Sequence, residues 1–178
     1  MDYAKVYGQM HEQWPKLFAG NSIKNHVEAI AELVKECRPT RLLDYGSGKG
    51  YQYLARRAHE AWGGLLPYCY DVGVRQLSEK PEGLFDGVIS TDVLEHIDEP
   101  DVDGILDDIF SSVLVRPECD LGKSFVFLAI ACRPSKKLLP DGRDAHLTVR
   151  PPEWWAGKLT KFERPGLIIR AVYDTGNV

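Results

Sequence analysis

Two carboxylates and an imidazole stand close together in the phrase TDVLEHI, at Asp92, Glu95 and His96. Residues three and four apart meet on one side of a helical turn, so a turn here brings Asp92 next to both Glu95 and His96. A second imidazole, His146, follows later in HLTVRPPEWW. Histidine is the side chain whose ordinary pKa suits proton transfer near neutrality. His96 and His146, with Glu95 beside them, are therefore the candidate catalytic residues. An alcohol nucleophile needs its proton removed, which either imidazole can do; an amine needs less help.

A second set of residues reads as a seat for a nucleotide-like cofactor. In LLDYGSGKG an apolar segment ends in Asp44 and runs into Gly46, Gly48 and Gly50 just ahead of a helix. Glycines let the backbone turn sharply and approach a ligand, and the helix start presents N–H groups to it. Asp71 closes the next apolar segment 21 positions after Gly50, where a carboxylate can accept both hydroxyls of a ribose. Dinucleotide enzymes usually carry GxGxxG, whereas this loop reads D-x-G-x-G-x-G. A carboxylate ahead of the first glycine repels a pyrophosphate and suits a cofactor carrying ammonium and sulfonium charge. No GKS or GKT follows the loop, which argues against a P-loop nucleotidase.

The elements that must position these residues alternate along the chain. Asn21 to Cys37 has apolar residues at helical spacing, and Pro39 stops that helix. Arg41 to Tyr45, Leu66 to Asp71, Phe85 to Thr91 and Lys123 to Cys132 are strand candidates, with YQYLARRAHEAW and DVDGILDDIFSSVL as helices among them. PPEWWAGKLTKF predicts a further helix and LIIRAVY a last strand. Such alternation predicts α/β architecture, a single doubly wound and mostly parallel sheet with right-handed crossovers. Residues 1–20, which include Tyr3, Tyr7, His11 and Trp14, form an N-terminal arm or lid; residues 21–178 form the main domain.

A chain of 178 residues suits one core, and 44% hydrophobic with 27% charged residues is a globular composition. The net charge of −4 argues against a dedicated nucleic-acid coat. Cys37, Cys69, Cys119 and Cys132 are widely spaced with no CxxC pair, which predicts reduced thiols. The amino terminus lacks the apolar run of a signal peptide and no segment matches a membrane span, so the expected location is cytoplasmic, with no membrane partner. Arg133, Lys136, Lys137, Arg143 and Arg150 surround His146 and read as a solvated loop ahead of an anion contact. Trp154 and Trp155 either wall a pocket or divide between core and surface.

The acidic glycine loop, Asp71 and FDGVISTDVLEHI together resemble the class I S-adenosylmethionine-dependent methyltransferases, over about Thr40 to Leu159. The resemblance implies a Rossmann-like fold and S-adenosylmethionine as cofactor. It places Asp44, Gly46, Gly48 and Gly50 at the methionine end and Asp71 on the ribose. Thr91, Asp92 and Val93 would lie beside the cofactor, and Asp86 would be a structural acid opening the strand. Two departures imply a trimmed sheet. Phe85 follows Asp71 by only 14 positions, where the family fits a further strand and an acid that reads adenine. A loop is expected there, with Leu77 and Ser78 as the adenine contacts. The C-terminal strand pair of the family is reduced to LIIRAVY.

D-x-x-E-H with a distal histidine is also similar to the plant small-RNA 2′-O-methyltransferases and some ubiquinone-pathway O-methyltransferases. That similarity implies a divalent metal on Asp92, Glu95, His96 and His146, with aspartate in place of the first glutamate. Such mixed oxygen and imidazole ligands suit Mg²⁺, Mn²⁺, Fe²⁺ or Zn²⁺. The expected function is methyl transfer to O or N of a small, hydroxylated or sugar-like substrate. The alternatives are a nucleic-acid ribose 2′-O-methyltransferase and a non-catalytic cofactor-binding partner of another enzyme. The base-methylating phrases NPPY and DPPY are absent.

Overall fold

A computed structural model describes residues 1–14, 21–115 and 123–176. The apolar runs form strands β1 (Leu42–Tyr45), β2 (Tyr68–Tyr70), β3 (Gly87–Thr91), β4 (Ser124–Ala131) and β5 (Leu167–Asp174). All pair in parallel, in the order β2-β1-β3-β4-β5. The helices are α1 (Tyr3–Gln13), α2 (Val27–Cys37), α3 (Tyr51–Leu54), α4 (Val102–Ser111) and α5 (Pro152–Leu159). This is the expected Rossmann-like α/β sheet.

Strand alternation explains the layers. Leu43, Val88, Val126, Leu128 and Ile130 point to one face and pack on α4 and α5, with Trp155 fully buried among them. Leu42, Ile89, Phe125 and Phe127 point to the other face and pack on Ile30 and Leu33 of α2. Every residue of β4 is buried, as a central parallel strand requires. Asp86 ties the start of β3 to the chain ahead of β1, accepting from the Thr40 and Arg41 backbone N–H groups at 2.6 and 3.0 Å.

The sheet is trimmed as the sequence implies. Between Asp71 and Phe85 the chain makes a short 3₁₀ turn, Arg75–Leu77, and no strand, so β2 is an edge. At the other side the single strand β5 pairs with all eight residues of β4. Two helices are shorter than their periodicity predicts. His26 (φ −127°) separates the 3₁₀ turn Ser22–Asn25 from α2, and Arg57 (φ 52°) separates α3 from a 3₁₀ turn over Ala58–Trp62.

The chain leaves β1 for β2 on one side and resumes at β3 on the other. The carboxyl ends of β1 and β3 therefore part at a topological switch point, where ligands of open α/β sheets bind. Helix α1 lies across this edge, anchored by Met10, which is buried against Leu139 and Ala145. Among the described residues no helix is long and apolar enough to cross a membrane. Cys37, Cys69 and Cys132 are free thiols, and Cys119 lies outside the described residues.

Candidate functional site

A cleft of about 1260 Å³ runs along the carboxyl edge of the sheet and is lined from the end of every strand. The glycine loop lines it through Gly46 and Gly48. Gly46 has φ +80°, and a Cβ there would sit 2.2 Å from Cγ2 of Val93, so only glycine lets the β1 and β3 ends meet. The Gly46 and Ser47 N–H groups donate to the Tyr70 carbonyl at 2.8 and 3.0 Å, which fixes the loop on β2. A Gly46→Ala substitution combines backbone strain with this clash and is expected to cost roughly 2–4 kcal/mol of stability. Adding Val93→Ala should recover part of the loss in denaturant unfolding. An unchanged midpoint for Gly46→Ala would contradict this packing.

Asp71 is a hub. Its carboxylate accepts from the Gly48 N–H at 2.8 Å and the Gly73 N–H at 2.9 Å, with Nε2 of His11 3.8 Å away. It lines the cleft, and a carboxylate offers more acceptor positions than those two N–H groups fill.

Asp44 is turned differently from the sequence expectation. It is 1% exposed, lies behind the loop and does not line the cleft. One oxygen accepts from Gln52 Nε2 at 2.7 Å and the Tyr53 hydroxyl at 2.8 Å, and the other has no hydrogen-bond partner. Burial pushes its pKa up to about 7, against the two hydrogen bonds. Its place is that of a tie between β1 and α3. Gly50 also stands off the cleft, while Gly46 and Gly48 line it.

At the other end the structure gathers three of the four residues singled out for a metal. One ligand atom from each of Glu95, His96 and His146 lies within 4.8 Å of the others. Asp92 is not in this group. The 3₁₀ turn begins only at Leu94, and Asp92 precedes it in a left-handed conformation (φ 54°), exposed on the cleft wall. Thr91 and Val93 flank it on the same wall.

The surroundings set the tautomers of both imidazoles. His96 Nδ1 lies 2.7 Å from the Ala145 carbonyl and His146 Nδ1 2.6 Å from the Arg133 carbonyl. A carbonyl only accepts, so Nδ1 carries the hydrogen and Nε2 the lone pair, the form in which imidazole ligates metals. Glu95 is fully buried; Oε1 accepts from the Ala131 N–H at 3.0 Å, and Oε2 has no hydrogen-bond partner. A buried carboxylate with one unpartnered oxygen, grouped with two imidazoles, fits a divalent cation.

Without a cation these groups resist charge. Burial, then the Asp92 charge, pushes Glu95 up to about 8, and burial, then His146, pulls His96 down to about 3. The metal-free protein should therefore lose stability through Glu95 as pH rises from 4.5 to about 8. Through His96 it should lose stability as pH falls from 6.5 to about 3. Thermal melts of Glu95→Gln across pH should show a shallower decline between pH 4.5 and about 8 than the parent chain. An identical slope would contradict the buried, proton-holding carboxylate.

No family model, curated protein or solved structure matches this chain. What the site can do is thus read from its own geometry.

The arm also bears on the cleft. Tyr3, Tyr7 and His11 line it from α1; Trp14 is exposed and does not. The Tyr7 hydroxyl donates to the His96 carbonyl at 3.0 Å, and Lys49 Nζ donates to the His11 carbonyl at 3.3 Å. One helix therefore touches both the loop end and the triad end. Leu77 and Ser78 do not line the cleft, and neither do Trp154 and Trp155. Trp155 is core, and Trp154 is capped by Lys158 at 4.6 Å. Of the basic segment, Arg133, Lys136 and Lys137 face the cleft near His146, whereas Arg143 and Arg150 pair with Asp141 and Glu99 outside it.

Sequence reasoning missed Tyr45, Tyr70, Asp108 and His26, all on the cleft wall. The tyrosines carry a usable signal, since each is adjacent to a flagged acid at a strand end. His26 gives none, because a histidine at a helix start reads as structural.

Proposed function

We propose that the chain is an S-adenosylmethionine-dependent methyltransferase acting on a hydroxyl of a small, polyhydroxylated acceptor, with a divalent ion held by Glu95, His96 and His146. The observation that carries this reading is that His96 and His146 line the same cleft as Gly46, Gly48 and Asp71, at the switch point of the sheet, with fully buried Glu95 grouped with both imidazoles off the cleft surface. The cofactor supplies a methyl group on a sulfonium centre, and its departure needs no proton. Methyl transfer then depends mainly on alignment and exclusion of water. A divalent ion held by Glu95, His96 and His146 would supply Lewis acidity that lowers the pKa of the acceptor hydroxyl, whose proton would pass to solvent because both Nε2 lone pairs would be engaged on the ion.

The chain's own residues do the rest. Gly46 and Gly48 let the backbone approach the cofactor, with the carboxylate of Asp71 for the ribose. The Ala145 and Arg133 carbonyls hold His96 and His146 with Nε2 as the lone-pair nitrogen. Tyr3, Tyr7 and His11 of α1 wall the cleft and would limit the water beside a bound cofactor. The free thiols fit a reducing, cytoplasmic setting.

Arg133, Lys136 and Lys137 beside His146 favour a second reading, in which the acceptor is a terminal ribose of a nucleic acid. The test is transfer of labelled methyl from S-adenosylmethionine, with Mn²⁺, to two panels: sugars and nucleosides, and short RNA. Salt-insensitive turnover of the small acceptors, lost on chelation, is expected. Turnover of RNA alone, falling steeply with salt, would establish the second reading. Turnover that persists after chelation would remove the metal from the mechanism.

A further inference from the structure

The two sides of the sheet end differently. On one side β2 offers an edge of three residues, whereas on the other β5 offers eight, paired one to one with Ser124–Ala131 and carrying neither bulge nor proline. Edges of this length are normally bulged, broken by proline or covered, because an open edge templates pairing with another chain. The Gly166 and Asp174 carbonyls accept from the Ser124 and Cys132 N–H groups at 2.8 and 2.7 Å, so the even-numbered residues turn their backbone groups toward β4. Ile169, Ala171 and Tyr173 therefore turn theirs outward, and among the described residues nothing bonds to these backbone groups.

The side chains of this strand complement a second copy of themselves. Ile169, Ala171 and Tyr173 rest half-buried on the main core, and Val172 is 36% exposed. Arg170 and Asp174, four positions apart, stand on the opposite face. Arg170 Nη1 lies 2.9 Å from Glu32 and 3.3 Å from the Ala29 carbonyl of α2, and Asp174 lies 2.8 Å from Arg133. All four charged side chains keep a third or more of their surface open.

In an antiparallel pair about a two-fold axis, outward residues face outward residues, so the axis falls on a residue. Placed at Arg170, it opposes two guanidinium groups; placed at Ala171, it opposes two methyl groups and leaves a gap. Placed at Val172, it sets Arg170 opposite the partner copy's Asp174 and Ala171 opposite the partner copy's Tyr173, each twice. Charge and volume then both match.

We propose that β5 pairs antiparallel with β5 of a second copy of this chain about an axis at Val172, joining two sheets into one. Glu32, Arg170, the partner copy's Asp174 and the partner copy's Arg133 then form a row of alternating charge. The pairing is independent of the cofactor assignment.

The test is sedimentation of the full chain across a range of concentrations, with amide hydrogen exchange followed in parallel. A concentration-dependent dimer is expected, with exchange at Ala171 and Tyr173 slowing as it forms. Ala171→Pro removes an outward N–H that β4 does not use, and proline is tolerated on an edge strand. Val172→Lys opposes two ammonium groups at the axis from a side chain that is already exposed. Each should weaken association by about tenfold or more while thermal unfolding stays cooperative. Should Ala171→Pro fail to fold, Val172→Lys carries the test. A parent chain that stays monomeric, or a dimer that Val172→Lys leaves intact, would overturn the proposal. So would protection of the Ala171 and Tyr173 amides at every concentration, which would mean that the chain covers its own edge.

Discussion

His146→Ala is expected to lower methyl transfer by about a hundredfold to ten-thousandfold, while S-adenosylhomocysteine binding stays within about threefold of the parent. His146 is the informative member of the triad because it is only partly buried, whereas Glu95 is fully buried and His96, though it lines the cleft, is nearly so. The loop is pinned independently of the ring. Asp144 accepts from the Ser135 and His146 N–H groups at 3.0 and 2.7 Å, and Leu139 is buried against Met10. Removing the imidazole should therefore leave the fold and the glycine loop in place. Mn²⁺ affinity, measured by electron spin resonance, should fall with turnover. Full activity in His146→Ala would mean that the triad plays no part in the reaction.

Asp71→Asn is the second large effect. The carboxylate holds the Gly48 and Gly73 N–H groups and also faces the cleft, so one substitution would disturb both the loop and the proposed ribose contact. An amide can turn only one oxygen toward these groups, and its NH₂ opposes the other donor. Charge-assisted hydrogen bonds are worth about 1.5–3 kcal/mol each, so loss of one or two predicts S-adenosylhomocysteine binding weaker by about a hundredfold or more. The thermal midpoint should also fall. Unchanged affinity would show that Asp71 serves only to brace the loop.

Much of this architecture is legible in the residues. The strand at Lys123 to Cys132, with eight successive buried positions, could hardly be read otherwise, and the short interval from Asp71 to Phe85 implied the missing strand. Periodicity proved weaker at helix starts, where His26 and Arg57 interrupt runs that look continuous. In the site, local spacing did well for Glu95 and His96 and failed for Asp92. Spacing assumes a regular turn, and Asp92 takes a left-handed backbone ahead of it. Asp44 misled for a different reason. Its charge suggested a ligand contact, but Gln52 and Tyr53, eight and nine positions on, turn the carboxylate inward. Tyr45 and Tyr70 each stand beside a flagged acid at a strand end, but nothing local tied them to Asp108 of α4 on the same cleft wall, because the three come from elements distant in sequence.

In the proposed function one cleft would hold a cofactor along its glycine loop and a cation at Glu95, His96 and His146. A crystal structure of the full chain with S-adenosylhomocysteine and Mn²⁺, with anomalous scattering recorded at the manganese edge, tests this most directly. The expected result is an anomalous peak bounded by Glu95, His96 Nε2 and His146 Nε2, with the cofactor ribose on Asp71 and its sulfur facing the peak. Cofactor bound away from Asp71, or saturating Mn²⁺ that leaves the triad without a peak, would contradict it.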